Sequence, residues 1–394
     1  MNNWKKCKLG DICSKITDGS HKSPPSQTSG FPMASVKDME YNQINLNTCR
    51  KISKEDYLEL VASGCQPEIN DILIAKDGSY LKHVFRVRTK EELVLLSSIA
   101  IIRPILEQVC PQFLTYVFKN KRFIEEIEAN YVTGAVIPRI VLRDFKEIEI
   151  TLPPLEEQRQ IAAILSSIDD KIELLHEQNK TLEKLAQTLF RHYFIENPNP
   201  SWQEKSLKDV CVILNGYAFK SKEYSQNGTK IVRTTNFKNG FIDNKDVIYI
   251  DNLENQYDKY LLRKNDFLLV MVGASLGNYV VVTSNVLPAL QNQNMWNFRA
   301  LEGVSQHYLN YALRDIVKES VYGASGSARE FFQKNQFYEK NILVPSFEIM
   351  NKFEEEISGF YDKLNENLEQ IQTLENMRDI LIPKLLNGEI KINN

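Results

Sequence analysis

The chain has 394 residues, of which 43% are hydrophobic and 25% charged, and its formal net charge is −3. This composition is typical of a soluble globular protein with room for two domains. No apolar run reaches the length of a membrane span, and the N-terminus lacks the apolar core of a signal peptide, so we expect a cytoplasmic protein with no membrane contact. The six cysteines show no C-x-x-C pair and no histidine at zinc spacing, which predicts reduced thiols and no metal site.

The sequence repeats itself. The opening pattern Trp-x4-Leu-x-Asp begins at Trp4 and again at Trp202, an offset of 198 residues. Further matches join 70–74 to 265–269 at offset 195 and 152–156 to 344–348 at offset 192. An offset that drifts by a few residues over half the chain indicates one duplicated module with small loop insertions.

In chain order, the first copy begins with short strand-like runs separated by Gly, Pro, Asn and Ser. The predicted strands include Asp71–Ala75, Ser98–Arg103 and Glu147–Leu152. One helix is predicted among them, from Pro111 to Asn130, with an apolar face and a proline at its start. The pattern therefore predicts a mixed α/β domain.

After this domain the apolar period becomes helical from Leu155 to Phe194. The stripe consists of Ile161, Ile164, Leu165, Ile168, Ile172, Leu175, Leu182, Leu185 and Leu189. Spacings of three and four over about forty residues form a narrow seam that a lone helix in water leaves exposed. We expect the helix to pair with a partner helix; packing on its own domain as ordinary core is the alternative.

The second copy supplies such a partner at offset 192. Its stripe consists of Phe353, Ile357, Phe360, Leu364, Leu368, Ile371, Leu374, Met377 and Leu381. Two copies related by a twofold axis would place the helices antiparallel. The predicted fold class is α+β, with two mixed α/β domains separated by a pair of long antiparallel α-helices that form an intramolecular coiled coil, in a pseudo-twofold internal repeat.

Two motifs carry a family resemblance. The run Leu152-Pro-Pro-Leu-Glu-Glu-Gln158, which leads into a long helix, resembles the start of the central conserved helix of specificity subunits of Type I restriction-modification systems. The segment Leu381–Ile390 resembles the close of their second conserved helix. The second copy departs from the pattern at 346–350, so contacts of Glu157 and Gln158 are expected to lack an equivalent there.

The resemblance implies a protein that reads a split, asymmetric DNA site, one half with each target recognition domain. The expected domains are 1–152 and 197–344, the helices lie at 153–196 and 345–388, and 389–394 form a C-terminal tail. The implied partners are double-stranded DNA, two methylating subunits and, for cleavage, two motor-nuclease subunits. The chain itself would bind no cofactor and catalyse nothing, leaving adenine methylation and restriction to the partners. Three alternatives stay open: a specificity chain of a fused methylase-nuclease system, a coiled-coil scaffold for protein interactions, and an enzyme such as a nuclease or transferase with a degenerate motif.

The absence of catalytic motifs agrees with this division of labour. No phosphate-binding G-x-x-x-x-G-K-[ST] loop is present. Asn197-Pro-Asn-Pro200 lacks the consecutive prolines and aromatic residue of an aminomethyltransferase motif and is interpreted as a linker. The carboxylates at Glu68 and Asp71 precede Lys76 without the spacing of a nuclease motif.

DNA reading requires polar side chains on loops beside a rigid sheet. The two copies match in their framework and differ in polar inserts, which we interpret as the reading loops, although Gly, Ser and Asn also gather at ordinary solvated turns. In the first copy the candidate DNA-binding residues are Ser20, His21, Lys22, Lys76, Ser79, Lys82, Arg86, Arg88 and Arg139. In the second copy they are Tyr217, Lys220, Arg233, Thr234, Asn236, Ser275, Asn278, Asn292, Gln293, Asn294 and Arg329.

Two of these groups have a more specific interpretation. Lys82, Arg86 and Arg88 share strand parity, so one strand face could present three cations to phosphates. The amides of 291–294 suit adenine edges, which paired amides can read bidentately. Buried amides that tie loops together are an equally good interpretation of 291–294.

Overall fold

The structure, a computed structural model, describes residues 4–40, 42–77, 83–131, 140–238, 240–251, 255–324 and 331–392. The chain divides into two compact units. Unit 1 comprises Met1–Glu173 and Thr373–Asn394, and unit 2 comprises Leu174–Gln372. Each unit therefore contains one mixed α/β domain and one segment from each of two long helices. Within the described ranges, no helix has the length and apolar character needed to cross a membrane.

The elements of unit 1 alternate short strands with short helices before the first long helix. The strands are β1 (Lys5–Lys8), β2 (Cys13–Asp18), β3 (Phe31–Ala34), β4 (Arg50–Ile52), β5 (Ile72–Ala75), β6 (Val84–Arg86), β7 (Val94–Leu95), β8 (Ile99–Pro104) and β9 (Glu149–Leu152). The helices are α1 (Lys54–Ala62), α2 (Pro111–Lys119), α3 (Lys121–Tyr131), α4 (Leu142–Glu147) and α5 (Leu155–Phe190), which continues as a short π-helical turn, Arg191–Ile195.

The main sheet of unit 1 has the strand order β2-β8-β5-β6, and β5 is buried on both faces. Ile72 and Ile74 contribute to the core shared with the helices, whereas Leu73 and Ala75 contribute to a second core on the other face. Successive side chains on a strand point to opposite faces, so a strand between two cores reads as an uninterrupted apolar run.

Unit 2 contains the corresponding elements. The strands are β10 (Gln203–Ser206), β11 (Cys211–Asn215), β12 (Tyr224–Ser225), β13 (Thr229–Val232), β14 (Phe237–Lys238), β15 (Phe241–Ile242), β16 (Ile248–Ile250), β17 (Phe267–Val270), β18 (Tyr279–Val281), β19 (Ala289–Gln291), β20 (Met295–Ala300) and β21 (Asn341–Val344). The helices are α6 (Leu207–Val210), α7 (Gln306–Ala324), α8 (Lys334–Tyr338) and α9 (Phe347–Leu386).

The two units share one connectivity. The order β2-β8-β5-β6 in unit 1 matches β11-β20-β17-β18 in unit 2, and the terminal pair β1-β9 matches β10-β21. Each unit also has a smaller sheet in which one strand pair is parallel, β3 with β7 and β13 with β19. The predicted internal repeat and the α+β fold class are confirmed.

A buried ion pair explains the repeated Asn-Asp dipeptide. In unit 1 the Asp71 carboxylate is fully buried and accepts from Nε and Nη2 of Arg103 at 2.8 and 2.9 Å. In unit 2 the buried Asp266 carboxylate accepts from the corresponding atoms of Arg299 at 2.8 and 2.7 Å. The preceding asparagines, at 70 and 265, have positive φ values of 75° and 71°, a conformation that asparagine tolerates better than most residues.

The predicted helix Pro111–Asn130 is interrupted in the structure. Asn120 has ψ of 114° and ends α2, and its Oδ1 accepts from the backbone N–H of Arg122 at 3.1 Å. An asparagine side chain competes for backbone donors in this way, which favours a helix boundary over a helix interior. The apolar period continues across the boundary, so periodicity alone predicted one helix.

In unit 1 the first part of α5 packs against the last part of α9. The buried Arg378 Nη1 lies 3.0 Å from Asp169 Oδ1, and Leu165, earlier in α5, shares a core with Ile382, later in α9. This order makes the two segments antiparallel. The same core contains apolar residues of the unit 1 domain. In this unit the helical stripe therefore packs both against the other long helix and against its own domain.

In unit 2 the remaining segments of the two helices are also antiparallel. Asn367 donates to Asn179 Oδ1 at 2.8 Å, and Tyr193, just beyond α5, donates to Glu356 at 2.7 Å. From one contact to the next, the residue number increases along the first helix and decreases along the second, as in an antiparallel pair.

Three residues of the predicted stripes are exposed rather than buried, namely Ile164, Leu185 and Met377. Polar side chains are buried in the helices instead, among them Asp169, Asn179, Asn365, Asn367 and Arg378. A straight α-helix drifts by about 20° per heptad from a strict seven-residue repeat, so a seam assigned by period alone shifts away from the true interface.

The start of the first long helix is fixed by a buried glutamine. Gln158 accepts from the backbone N–H of Cys110 at 2.9 Å and donates to the carbonyls of Gln108 and Pro153. At offset 192 the residue is Met350, which is buried in the core of unit 2. An apolar contact thus replaces the polar one, as the departure from the motif indicated.

Candidate nucleic-acid interface

In both units the end of the first sheet strand approaches a second chain segment closely. Ser20 N–H donates to Leu95 O at 2.7 Å in unit 1, and Tyr217 N–H donates to Gln291 O at 3.0 Å in unit 2. The preceding residues, at 19 and 216, are glycines because a Cβ there would overlap a backbone carbonyl of the facing segment. This contact brings two of the predicted reading loops together in each unit.

The end of the central strand joins the same place. In unit 1 Lys76 N–H donates to Ser98 O at 3.0 Å, and Ile140 N–H donates to Lys76 O at 3.2 Å. In unit 2 the equivalent bonds run from Met271 N–H to Asn294 O at 3.4 Å and from Phe332 N–H to Met271 O at 2.9 Å. We call this surface the loop edge: residues 18–22, 76–77, 96–98 and 140 in unit 1, and 215–220, 271–278, 291–294 and 331–332 in unit 2.

The loop edge of unit 1 is charged. Asp18 Oδ2 lies 3.3 Å from Lys76 Nζ and 3.4 Å from His21 Nε2. The side chains of Asp18 and Lys76 are about nine-tenths buried, whereas that of His21 is 78% exposed. One carboxylate therefore organises two candidate DNA-binding residues, and only His21 faces solvent freely. The sequence pattern predicted Ser20, His21 and Lys22 just after Asp18 as DNA-binding residues, but it did not predict Asp18.

Two further candidates of the unit 1 loop edge have local partners. Ser20 Oγ accepts from Lys22 N–H at 3.0 Å and stabilises the turn. Lys22 Nζ lies 2.8 Å from Glu59 Oε2 and 3.9 Å from Asp56 Oδ1, with its side chain 54% exposed. An exposed ion pair of this kind is weak enough to be exchanged for a phosphate.

Arg86 and Arg88 lie elsewhere in unit 1. Arg86 pairs with Ile72 in the register of β5 and β6, at the opposite end of β5 from Lys76, and donates to Asn70 and Gln112. The strand ends at Arg86, and Arg88 donates to Asp170 and Glu173 on α5. The predicted strand face with three cations is therefore not formed by Arg86 and Arg88, because α5 draws Arg88 away. Ser79, Lys82 and Arg139 lie outside the described residues.

The loop edge of unit 2 contains mostly neutral groups. Tyr217 packs against the rings of Phe219, Tyr257 and Tyr260 with centroids 5.1–5.2 Å apart. Lys220, which directly follows Phe219 in the sequence, has an exposed side chain. The cluster gives the loop a rigid base.

A turn after β13 places three more candidates near Asn292, whose N–H donates to Val232 O at 3.2 Å. Asn236 is buried and accepts from Arg233 N–H at 3.0 Å. Arg233 donates through Nη2 to Asp246 O at 2.8 Å, and Thr234 is half-buried in the turn. Asn236 therefore shapes the turn, and its side chain is not presented to solvent.

The amide run 291–294 divides between two uses. Gln291 is buried and donates to the carbonyls of Leu214 and Met295, which ties the loop to the sheet. Asn292 is also buried, Gln293 is half-buried, and Asn294 is exposed. Asn294 therefore has the exposure that base reading requires, whereas Gln291 follows the alternative interpretation of a structural amide.

The neighbouring turn of unit 2 presents another exposed amide. Asn278 N–H donates to Ser275 O at 3.0 Å, and the exposed Asn278 side chain follows Gly277. Ser275 is half-buried within the same turn. Arg329 lies outside the described residues. The exposed apolar residues Val272 and Phe331 of this loop edge had no signal in the polar patterns that defined the candidates.

Among the residues that the structure describes, no group of three or more His, Cys, Asp or Glu side chains could hold a metal ion. All six cysteines are free, and burial raises the pKa of the Cys13 and Cys211 thiols to about 12. Thiols that stay protonated at neutral pH are poor nucleophiles, so these cysteines serve as core residues.

Comparison with known proteins matches this architecture to one family. A family model described as the Type I restriction modification DNA specificity domain matches residues 1–184 and 199–376. The Type I restriction enzyme MjaIX specificity subunit of Methanocaldococcus jannaschii is 29% identical over 315 residues, which cover 72% of this chain and 70% of the relative. The HindI specificity subunit of Haemophilus influenzae is 21% identical over 477 residues, which cover 99% of this chain and all of the relative, 100%.

A solved structure has the same fold. The Type I restriction-modification system S subunit from M. genitalium aligns with a TM-score of 0.56 at 19% identity, covering 98% of this chain and 96% of that one. The family model matches most of the chain and occurs twice, once for each repeat. The resemblance inferred from the two helix motifs is thereby confirmed. The chain belongs to the Type I restriction-modification DNA specificity family, as a DNA specificity subunit.

Proposed function

We propose that the chain recognises a bipartite, asymmetric site in double-stranded DNA and reads one half of it with each target recognition domain. The domains are residues 1–152 and 197–344, and the long helices 153–196 and 345–388 fix the length of the unread spacer. The observation that carries the proposal is the loop edge. Its backbone hydrogen bonds are the same in both units, while its side chains differ in chemical character.

The contrast at matched positions supports different half-sites. Asp18 and Lys76 form an ion pair in unit 1, and the same framework positions in unit 2 hold Asn215 and Met271. The Lys76 side chain is about nine-tenths buried in that pair, so the exposed groups that differ are Lys22 in unit 1 and the amides of Asn278 and Asn294 in unit 2. Cations suit guanine O6 and N7 and phosphates, whereas amides suit adenine. Equal backbones with unequal reading groups are what two domains for two different sequences require.

The proposal extends to partners. In this division of labour two methylating subunits dock on the polar faces of the long helices and modify adenine in each half-site, and two motor-nuclease subunits join for restriction. Charged residues such as Glu156, Arg159, Glu177 and Lys180 are exposed on α5 and available for such contacts. Native mass spectrometry of the co-purified complex tests the stoichiometry: one copy of this chain with two methylating subunits is expected, and a single methylating subunit would contradict it.

Selection from a random duplex library tests the DNA proposal. The full chain, purified with its methylating subunits, is expected to enrich duplexes with two short specified segments separated by an unspecified spacer. Binding should weaken steeply with salt, because phosphate contacts release counterions. Enrichment of a continuous motif would contradict the bipartite arrangement. Salt-insensitive binding without sequence preference, together with stable capture of proteins other than these subunits, would favour a scaffold.

A further inference from the structure

Two apolar side chains lie side by side at the loop edge of unit 2. Val272 and Phe331 form an isolated antiparallel bridge and are 41% and 51% exposed. Val272 follows Met271 and Phe331 precedes Phe332, so both belong to the segments joined by the hydrogen bond from Phe332 N–H to Met271 O. The pair therefore lies among the predicted reading loops.

The surroundings leave this pair accessible. A Cβ added at Gly273, directly after Val272, would meet no atom within 4 Å. Gly277 of the same turn lies against Val321 of α7, which is itself 38% exposed. We call Val272 and Phe331 the apolar patch. The exposed Asn278 belongs to the turn that follows Val272, and the carbonyl of the exposed Asn294 accepts from Met271 N–H, so exposed amides lie on both neighbouring segments.

Unit 1 has different chemistry at the equivalent position. Asp77 and Val272 each lie two residues beyond the ends of the matched strands β5 and β17, and Asp77 Oδ1 lies 3.6 Å from Lys76 Nζ. The same backbone framework therefore carries a charged residue in unit 1 and an exposed valine in unit 2.

DNA offers one apolar group at its base edges. In the major groove the bases present donors and acceptors, and the C5-methyl group of thymine is the exception. Grouped apolar side chains on a surface otherwise indicate a binding site. Resting on the proposed function, we propose that the apolar patch contacts the methyl group of a thymine in the half-site read by unit 2.

Replacing thymine by uracil tests this contact, because uracil lacks only the methyl group. The probe is the duplex selected by the full chain with its methylating subunits, together with versions carrying one deoxyuridine at each thymidine in turn. Removing one buried methyl group should weaken binding about fourfold. We expect this loss at one or two positions in one half-site, and we expect Val272→Ala or Phe331→Ala to bind the thymidine and deoxyuridine duplexes equally.

Leu301→Ala is the matched control. Leu301 is also 41% exposed and follows the last residue of β20, at the opposite end of that strand from Asn294. This variant should keep the preference for thymidine. Three outcomes would overturn the proposal while leaving sequence-specific binding intact: no sensitivity to deoxyuridine in the unaltered chain, the same sensitivity in Val272→Ala and Phe331→Ala, or a half-site without thymine. Failure to select any motif would instead overturn the proposed function itself.

Discussion

Removing the carboxylate of the repeated buried ion pair should destabilise each unit separately. Asp71 accepts two hydrogen bonds from Arg103 and one from the backbone N–H of Glu68 at 2.7 Å. Asp71→Asn keeps the size of the side chain but removes its charge. The Arg103 guanidinium is then left without its main partner.

The structure sets the expected magnitude for each unit. Removing one partner of a buried ion pair costs roughly 3–5 kcal/mol. Arg103 is 25% exposed and still contacts Glu68 at 2.8 Å, so for Asp71→Asn we expect a cost just below that range, about 2–3 kcal/mol. In unit 2 the Arg299 side chain is only 16% exposed, and in Asp266→Asn it would retain its hydrogen bond to the carbonyl of Leu261. The substitution would also weaken a second contact, because Asp266 accepts from Asn297 at 2.7 Å. Asp266→Asn should therefore cost more, about 3–5 kcal/mol.

Hydrogen exchange followed by mass spectrometry measures the two units independently. Protection of the central strands β5 and β17 reports the free energy of opening of units 1 and 2. Because about 1.4 kcal/mol is a factor of ten, Asp71→Asn should speed exchange of β5 by roughly 30- to 140-fold and leave β17 unchanged. Asp266→Asn should show the reverse pattern with a larger factor.

Glu68→Gln provides the control, because Glu68 contacts the same arginine but its side chain is 65% exposed. An exposed ion pair contributes about 1 kcal/mol or less, so exchange of β5 should change by less than about fivefold. Unchanged protection of β5 in Asp71→Asn, or an effect equal to that of Glu68→Gln, would refute the assignment of the buried pair as the stabilising contact behind the repeated dipeptide.

Three further predictions concern pH, salt and spacing. Burial is the main cause that lowers the pKa of Lys119 to about 8, and Asp169 at 3.9 Å only partly opposes it, while Arg378 and Arg88 add to the lowering. Because the folded state disfavours the charged lysine, the penalty is full below pH 8 and disappears as pH rises towards the unfolded pKa of 10.5. Denaturant unfolding should therefore show Lys119→Met gaining up to roughly 3 kcal/mol over the unaltered chain at pH 7 and losing that advantage by pH 10.5; a difference independent of pH would contradict this. Lys220→Gln should weaken binding to all duplexes alike and reduce the slope of log K against log salt by about 0.9, and a selective loss for one sequence would instead indicate base contact. Inserting four residues into both α5 and α9 lengthens each helix by roughly 6 Å and should lengthen the unread spacer by about one or two base pairs, whereas methylation at the original spacer would contradict the role of the helices as a ruler.

Periodicity and repetition were sufficient to predict the architecture. The predicted strand at Asp71–Ala75 appears as Ile72–Ala75 because an uninterrupted apolar run between turn residues fits a strand buried on both faces. The repeated Asn-Asp dipeptide was visible, but its partner Arg103 is 32 residues away from Asp71, so the ion pair required the fold.

The candidate interface was predictable only at the level of loops. The pairing of Lys76 with Asp18 joins residues far apart in sequence and buries a lysine that had been expected to face DNA. Arg88 likewise pairs with Glu173 on α5. A local sequence pattern does not specify partners that the fold brings together from distant parts of the chain. Val272 and Phe331 could not be predicted from the polar pattern of the loops, because exposure of an apolar residue is a property of the folded chain.

Sequencing the methylated genome of cells that carry this chain with its partner subunits tests the central claim most directly. The account predicts adenine methylation in both halves of a split motif with a fixed spacer. In cells carrying Val272→Ala it predicts altered preference in one half only, with the other half and the spacer unchanged. A continuous motif, or a change in both halves from this single substitution in unit 2, would contradict the account.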